Sequence, residues 1–126
     1  MDARLDPAKA LGLAEGDAHV IRNAGGLVTD DALRSLVISH WELGTQSVFV
    51  IAHTKCGMQT FTNDEMHEKL AGKGVDASDV DFHPFDDLEE SVRSSVRRVR
   101  ESPLLPDSFE AHGFVYDVQT GRLREV

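Results

Sequence analysis

The stretch Ser47-Val-Phe-Val-Ile-Ala-His-Thr-Lys-Cys-Gly57 decides how this chain is read. Its first six residues are a near-continuous apolar run rich in β-branched side chains, the pattern of a strand buried on both faces in a parallel sheet. The run stops before His53, which places His53 and Cys56 just past the strand's C-terminal end. In open α/β sheets ligands bind along that edge. Gly57 lets the backbone turn tightly after the thiol, and an imidazole with a thiolate is a favoured zinc-ligand combination. A His-x-x-Cys spacing alone is more often a surface histidine beside a buried thiol; the strand edge is what gives it weight.

Toward the N-terminus, His19-Val-Ile-Arg22 predicts a short strand, followed by the loop Asn23-Ala-Gly-Gly26, whose glycines permit a close backbone approach. Thr29 is a good N-cap with Asp30 and Asp31 in the first turn. Ala32, Leu33, Leu36, Val37 and Leu43 recur at helical spacing, so a helix is expected over about 30–43, stopped by Gly44. Toward the C-terminus, Thr62 and Glu65 form a capping box for a short helix ending near Gly72, and 72–85 reads as a long loop. Asp87 to Ser102 puts Leu88, Val92, Val96 and Val99 on one helical face, with acids early and arginines late as the helix dipole prefers; Pro103 ends it. Gly113 to Val126 reads as a strand, a turn at Thr120 and Gly121, and a shorter return strand. This order points to an α/β domain with a mainly parallel sheet.

With 126 residues and 40% hydrophobic composition, the chain is expected to form a single domain, 1–126, around one core. Thirteen Lys and Arg stand against 22 Asp and Glu, a formal charge of -9, which argues against nucleic-acid binding and against adsorption to anionic membranes. No apolar run approaches the roughly 20 residues of a bilayer span, and the N-terminus lacks the features of a signal peptide. A cytoplasmic protein is the default expectation. Cys56 is the one cysteine, which excludes an internal disulfide. On its own, Asp2-x-Arg4 would be a solvated ion pair of little energetic weight.

Four segments together, Met1 to Pro7 (MDARLDP), Gly16 to Gly26 (GDAHVIRNAGG), Val28 to Thr45 (VTDDALRSLVISHWELGT) and His53 to Met58 (HTKCGM), resemble the β-class carbonic anhydrases, in particular their small bacterial members. The resemblance covers essentially the whole chain. It implies a β-carbonic anhydrase-like α/β fold, Zn2+ as cofactor, and reversible hydration of CO2 to bicarbonate and a proton. In that family zinc is held by a cysteine two residues before the Asp of the Asp-x-Arg pair, by the His and by the Cys three residues later. His53 and Cys56 match the second and third ligands, while the place of the first falls immediately before Met1. The strand that leads into that cysteine, central in the family's sheet, is likewise missing from this chain, so an N-terminally truncated domain is expected.

The resemblance makes Asp2 a catalytic residue, kept ionised and oriented by Arg4, and also a potential zinc ligand. In the chain as it stands, Asp2, His53 and Cys56 are expected to form a three-ligand site of weak affinity, with water in the fourth position. Asn23, Ala24, Gly25, Gly26 and Gly57 are expected as substrate-pocket loop residues. A homodimer or higher homo-oligomer is implied. The alternatives are hydrolysis of carbonyl sulfide or a related CO2 analogue on the same scaffold, and a non-catalytic zinc-binding or subunit-interface module.

The remaining residues are read as structural. His40 and Trp41 are expected to pack or to form an interface; His19, His67, His83 and His112 are expected at the surface. Asp64 and Glu65 belong to a helix start. Arg93, Arg97, Arg98 and Arg100 are expected on a solvated helical face, and Phe61, Phe82 and Phe85 in the core or in dimer contacts.

Overall fold

Local capping chemistry sets the helices. In the computed structural model, which describes residues 1–126, Thr29 Oγ1 accepts from the Ala32 N–H at 3.3 Å and opens α2, Asp30–Trp41. Glu42 follows as the cap, and Gly44, with φ 76, donates its N–H back to the His40 carbonyl at 3.0 Å. The Thr62 and Glu65 capping box is complete at the start of α3, Asn63–Ala71. Asp87 caps α4, Leu88–Arg100, by accepting from the Glu90 N–H at 3.0 Å. A five-residue helix, α1 at Pro7–Leu11, was not expected, although its signals are local: an Asp6 cap, Pro7 in the first turn, and Gly12 at φ 66 closing it.

The sheet has three strands in the order β1-β2-β3: β1 Ser47–His53, β2 Glu110–Tyr116 and β3 Leu123–Glu125. β1 and β2 run parallel, with Ser47 opposite Glu110 and His53 opposite Tyr116. β3 returns antiparallel, Leu123 opposite Tyr116, so the sheet is small and mixed. The connecting turn is held by Asp117, whose carboxylate accepts from the N–H groups of Gln119 and Thr120.

The core lies between α4 and one face of this sheet. Val92, Val96 and Val99 pack with Val50, Ala52, Ala111 and Val115, joined by Leu36, Leu105 and Phe109. Gly113 allows the contact to be close: a Cβ there would lie 2.7 Å from Val92 Cγ1. The opposite face of β1 is open. Phe49 is 54% exposed and tilts against Phe114, with ring centroids 4.9 Å apart. Burial on both faces, expected from the apolar run, is therefore corrected: only alternate residues of β1 are buried, because α4 covers one side of the sheet.

A second correction concerns His19 to Arg22. The segment belongs to no strand, and Val20 and Ile21 are 53% and 46% exposed. β-branched residues favour extended backbone, but a strand exists only where a neighbour supplies hydrogen-bond partners, and none lies alongside this segment. Two of the expected solvated arginines also do more. Arg98 donates to the Val28 carbonyl at 3.0 Å and pairs with Asp30, and Arg100 donates to the Ala111 carbonyl at 2.7 Å; together they tie α4 to the start of α2 and to β2. No helix is long and apolar enough to cross a membrane.

Candidate active site

β1 delivers His53 to the end of the sheet, and the ladder runs one bond further, from the Thr54 N–H to the Tyr116 carbonyl at 2.9 Å. His53 Nδ1 lies 2.8 Å from the Thr54 carbonyl. A carbonyl only accepts, so Nδ1 carries the proton and Nε2 presents a lone pair. Lys55 then adopts a left-handed conformation, φ 54, which reverses the chain and brings Cys56 behind the strand end. Cys56 is 6% exposed and opens a single 3-10 turn, Gly57–Gln59. The tight turn expected at Gly57 thus falls on Lys55. Gly57 is not left-handed, and a Cβ on it would meet nothing within 4 Å.

The chain start is tied down beside this edge. Asp2 Oδ1 accepts from Arg4 Nε at 2.9 Å and from the Arg4 backbone N–H at 2.8 Å, while Asp2 Oδ2 accepts from Arg4 Nη2 at 2.7 Å. Arg4 Nη2 also donates to the Lys55 carbonyl at 3.1 Å, joining the Asp2–Arg4 pair to the turn that carries Cys56. The Met1 amine donates to the Asn23 carbonyl at 2.9 Å, and Arg22 Nη2 donates to the carbonyls of Asp2 and Leu5, both at 2.8 Å. As a result Asp2 Oδ2 comes within 3.6 Å of His53 Nε2. Hydrogen bonds from Arg4 hold the Asp2 carboxyl far below the usual carboxylate range, and Asp2 in turn raises the Arg4 guanidinium. Partial burial, then the Arg22 charge, lowers the Met1 amine.

The loop Asn23–Gly26 closes over the other side. Asn23 is bonded twice to Leu27, donating to its carbonyl at 2.8 Å and accepting from its N–H at 3.0 Å. Ala24 opens the 3-10 turn; Gly25 and Gly26 have φ 85 and 64, and a Cβ on Gly26 would collide with the Ile51 carbonyl oxygen. Glycine is demanded here both by the dihedral and by the contact with β1. An open concavity of about 670 Å³ along α3 includes none of these residues.

The structure thus brings together Asp2, Arg4, His53, the Cys56 turn and the Asn23–Gly26 loop. No three of the chain's His, Cys, Asp and Glu side chains form a group that could hold a metal ion. The three-donor arrangement of Asp2, His53 and Cys56 expected from the sequence is therefore not formed, and both Asp2 oxygens accept from Arg4. Two positioning groups went unread in the sequence, Arg22 and the left-handed Lys55. Arg22 borders the glycine loop, a usable signal; a lysine gives no sign that it will be left-handed.

A His and a Cys at the sheet edge beside an Asp–Arg pair, on an α/β scaffold, define the candidate active site. The sequence profile of the carbonic anhydrase family matches residues 1–123, and the chain belongs to that family. It is 45% identical over 126 residues to β-carbonic anhydrase 1 of Mycobacterium tuberculosis, covering 100% of this chain and 77% of that protein. The crystal structure of the carbonic anhydrase from Streptococcus mutans superposes with a TM-score of 0.97 at 57% identity, covering 100% of this chain and 76% of that one. A carbon disulfide hydrolase of Acidithiobacillus thiooxidans is 35% identical over 144 residues, covering 98% of this chain and 72% of that protein.

Proposed function

We propose that this protein catalyses the reversible hydration of CO2 to bicarbonate and a proton, using Zn2+ held by His53 and Cys56, with Asp2 becoming a third donor only if Arg4 releases it. The observation that carries the reading is the Asp2–Arg4 pair, bonded to Lys55 and set 3.6 Å from His53 Nε2. Family membership and the 45% identity to a β-carbonic anhydrase support it. The donor chemistry fits zinc: His53 is fixed in the tautomer that leaves Nε2 free, and Cys56 is a buried thiol on the adjoining turn. Zinc bound there would supply the Lewis acidity that makes a water nucleophilic at neutral pH.

The chain's own residues have distinct tasks in this reading. Asp2 stays ionised throughout the neutral range, so it accepts a hydrogen bond from the attacking water without keeping its proton. Arg4 orients that carboxylate and, through the Lys55 carbonyl, fixes it relative to Cys56. The Asn23–Gly26 loop walls the site and excludes bulk water. The proton released passes to solvent. If Arg4 lets go, Asp2 is free to turn toward the metal donors, which would exchange its positioning role for a ligand role.

A second reading is hydrolysis of a sulfur analogue of CO2, carbonyl sulfide or carbon disulfide, favoured by the relatives named carbon disulfide hydrolase. A non-catalytic zinc-binding or subunit-interface module is the third. A homodimer accompanies the proposal, supported by the exposure of Trp41, Leu43 and Phe49; a cytoplasmic location does too. Stopped-flow CO2 hydration on protein of known zinc content tests all three. Turnover that follows bound zinc is expected; turnover of the sulfur analogues alone supports the second reading, and stoichiometric zinc without turnover of any of them supports the third. A parallel chain carrying a cysteine immediately before Met1 should bind zinc more tightly.

A further inference from the structure

The loop between α3 and α4 ends stitched to the turn behind Cys56. The Phe85 N–H donates to the Met58 carbonyl at 3.2 Å, and Gln59 Nε2 donates to the Asp86 carbonyl at 2.9 Å. Earlier in the same loop the fastenings run to α3: the Phe82 N–H donates to Asn63 Oδ1 at 2.9 Å, and His67 Nε2 donates to the Val80 carbonyl at 2.6 Å. Loop and helix therefore move as one piece, and Phe85 is where that piece meets the site.

The Phe85 ring lies over Gly25. A Cβ on Gly25 would be 2.9 Å from Phe85 Cε1, 3.3 Å from Leu27 Cγ and 3.4 Å from Met58 Cγ, so the missing side chain is what admits the ring. The ring thus touches the Asn23–Gly26 loop, while the Phe85 backbone is bonded to Met58 in the turn that opens at Cys56. Met58 and Cys56 are buried, at 9% and 6%, so that turn is packed in an apolar setting with Phe85 at its border. The backbone bond anchors Phe85 to the turn, and its rigid ring against Gly25 carries that anchor across to the loop.

We propose that Phe85 is a positioning residue of the site: its backbone bond to Met58 and its ring against Gly25 together hold the Cys56 turn to the Asn23–Gly26 loop and keep Cys56 buried. Its value for catalysis rests on the zinc reading above, while its effect on Cys56 does not. Removing the ring leaves Gly25 uncovered and the turn without its support on that side, and the turn then opens without unfolding of the α4 core.

Cys56 is the single thiol, so alkylation by a small neutral reagent, at one pH and under native conditions, reads the opening of this turn. With the full chain freed of metal, Phe85→Ala should be alkylated roughly tenfold faster or more than the parent. Phe85→Leu, which keeps apolar bulk, should stay within about threefold. Gly25→Ala, which pushes the ring away from the other side, should accelerate alkylation as Phe85→Ala does and serves if that variant folds poorly. Val99→Ala, in the α4 core and chosen for a comparable fall in Tm, should label like the parent. Parental labelling in both Phe85→Ala and Gly25→Ala, or equal acceleration by Val99→Ala, overturns the proposal. After Zn2+ is added, faster loss of zinc from Phe85→Ala to a chelator is expected. Accelerated alkylation in a chain that takes up no zinc upholds the positioning role and defeats the zinc reading alone.

Discussion

Asp2 Oδ2 and His53 Nε2 stand 3.6 Å apart, although one is the second residue of the chain and the other closes the edge strand β1. Three anchors create the approach: the Met1 amine on Asn23, Arg22 on the carbonyls of Asp2 and Leu5, and Arg4 on the Lys55 carbonyl. Each spans a long sequence separation, and each fixes backbone that would otherwise fray.

Acid should reveal the Asp2–Arg4 pair. The folded-state pKa of Asp2 lies below its unfolded value of about 3.9, so the pair's stabilisation is fully present above that pH and fades as pH falls toward the folded value. Arg4→Ala removes it. The Tm difference between parent and Arg4→Ala, measured by thermal melts, should therefore be largest near neutrality and should narrow below about pH 4. A gap that widens in acid contradicts the assignment.

Metal content and turnover should separate in two variants. Cys56→Ser should lose stoichiometric zinc, as measured by elemental analysis after dialysis. Arg4→Ala should keep the metal yet lose roughly 10- to 100-fold in CO2 hydration, the scale expected for removal of a group that orients a residue beside a metal. Full zinc in Cys56→Ser would rule out the thiol as a ligand.

The glycines of the site are not equivalent. Gly26 combines φ 64 with backbone contact to Ile51, so Gly26→Ala should destabilise the protein by more than about 2 kcal/mol in urea unfolding. Gly57→Ala meets open space and should change stability by less than about 0.5 kcal/mol. Equal losses in the two variants would contradict the contact described between the loop and β1.

Lys55 carries strain that glycine would not. A left-handed L-residue costs roughly 1–2 kcal/mol, and glycine's larger unfolded-state entropy gives back about 0.5–1 of that. Lys55→Gly should accordingly raise stability modestly, by up to about 1 kcal/mol, with the Arg4 contact to the carbonyl at position 55 retained. A clear loss of stability in denaturant melts would mean that the lysine side chain makes a contribution its geometry does not suggest.

What was legible in the residues was local. Thr29 and Thr62 announced their helices because a cap is a bond between neighbours, the spacing of Leu88, Val92, Val96 and Val99 announced α4, and the apolar run from Ser47 announced β1 and left His53 and Cys56 at its end. The Asp6–Pro7 start and Gly12 stop of α1 were equally local signals. Tertiary structure alone decided the rest. His19 to Arg22 has the composition of a strand and is none, since a ladder needs a second chain segment alongside. β1 buries only alternate residues, on the face that packs against α4 and Leu36, and Asp2 meets His53 because Arg22, Asn23 and Lys55 happen to offer partners to the first residues of the chain. Capping and periodicity act over a few residues and can be read along the sequence; burial, ladder pairing and the assembly of a site depend on which distant segments arrive together, and only folding settles that.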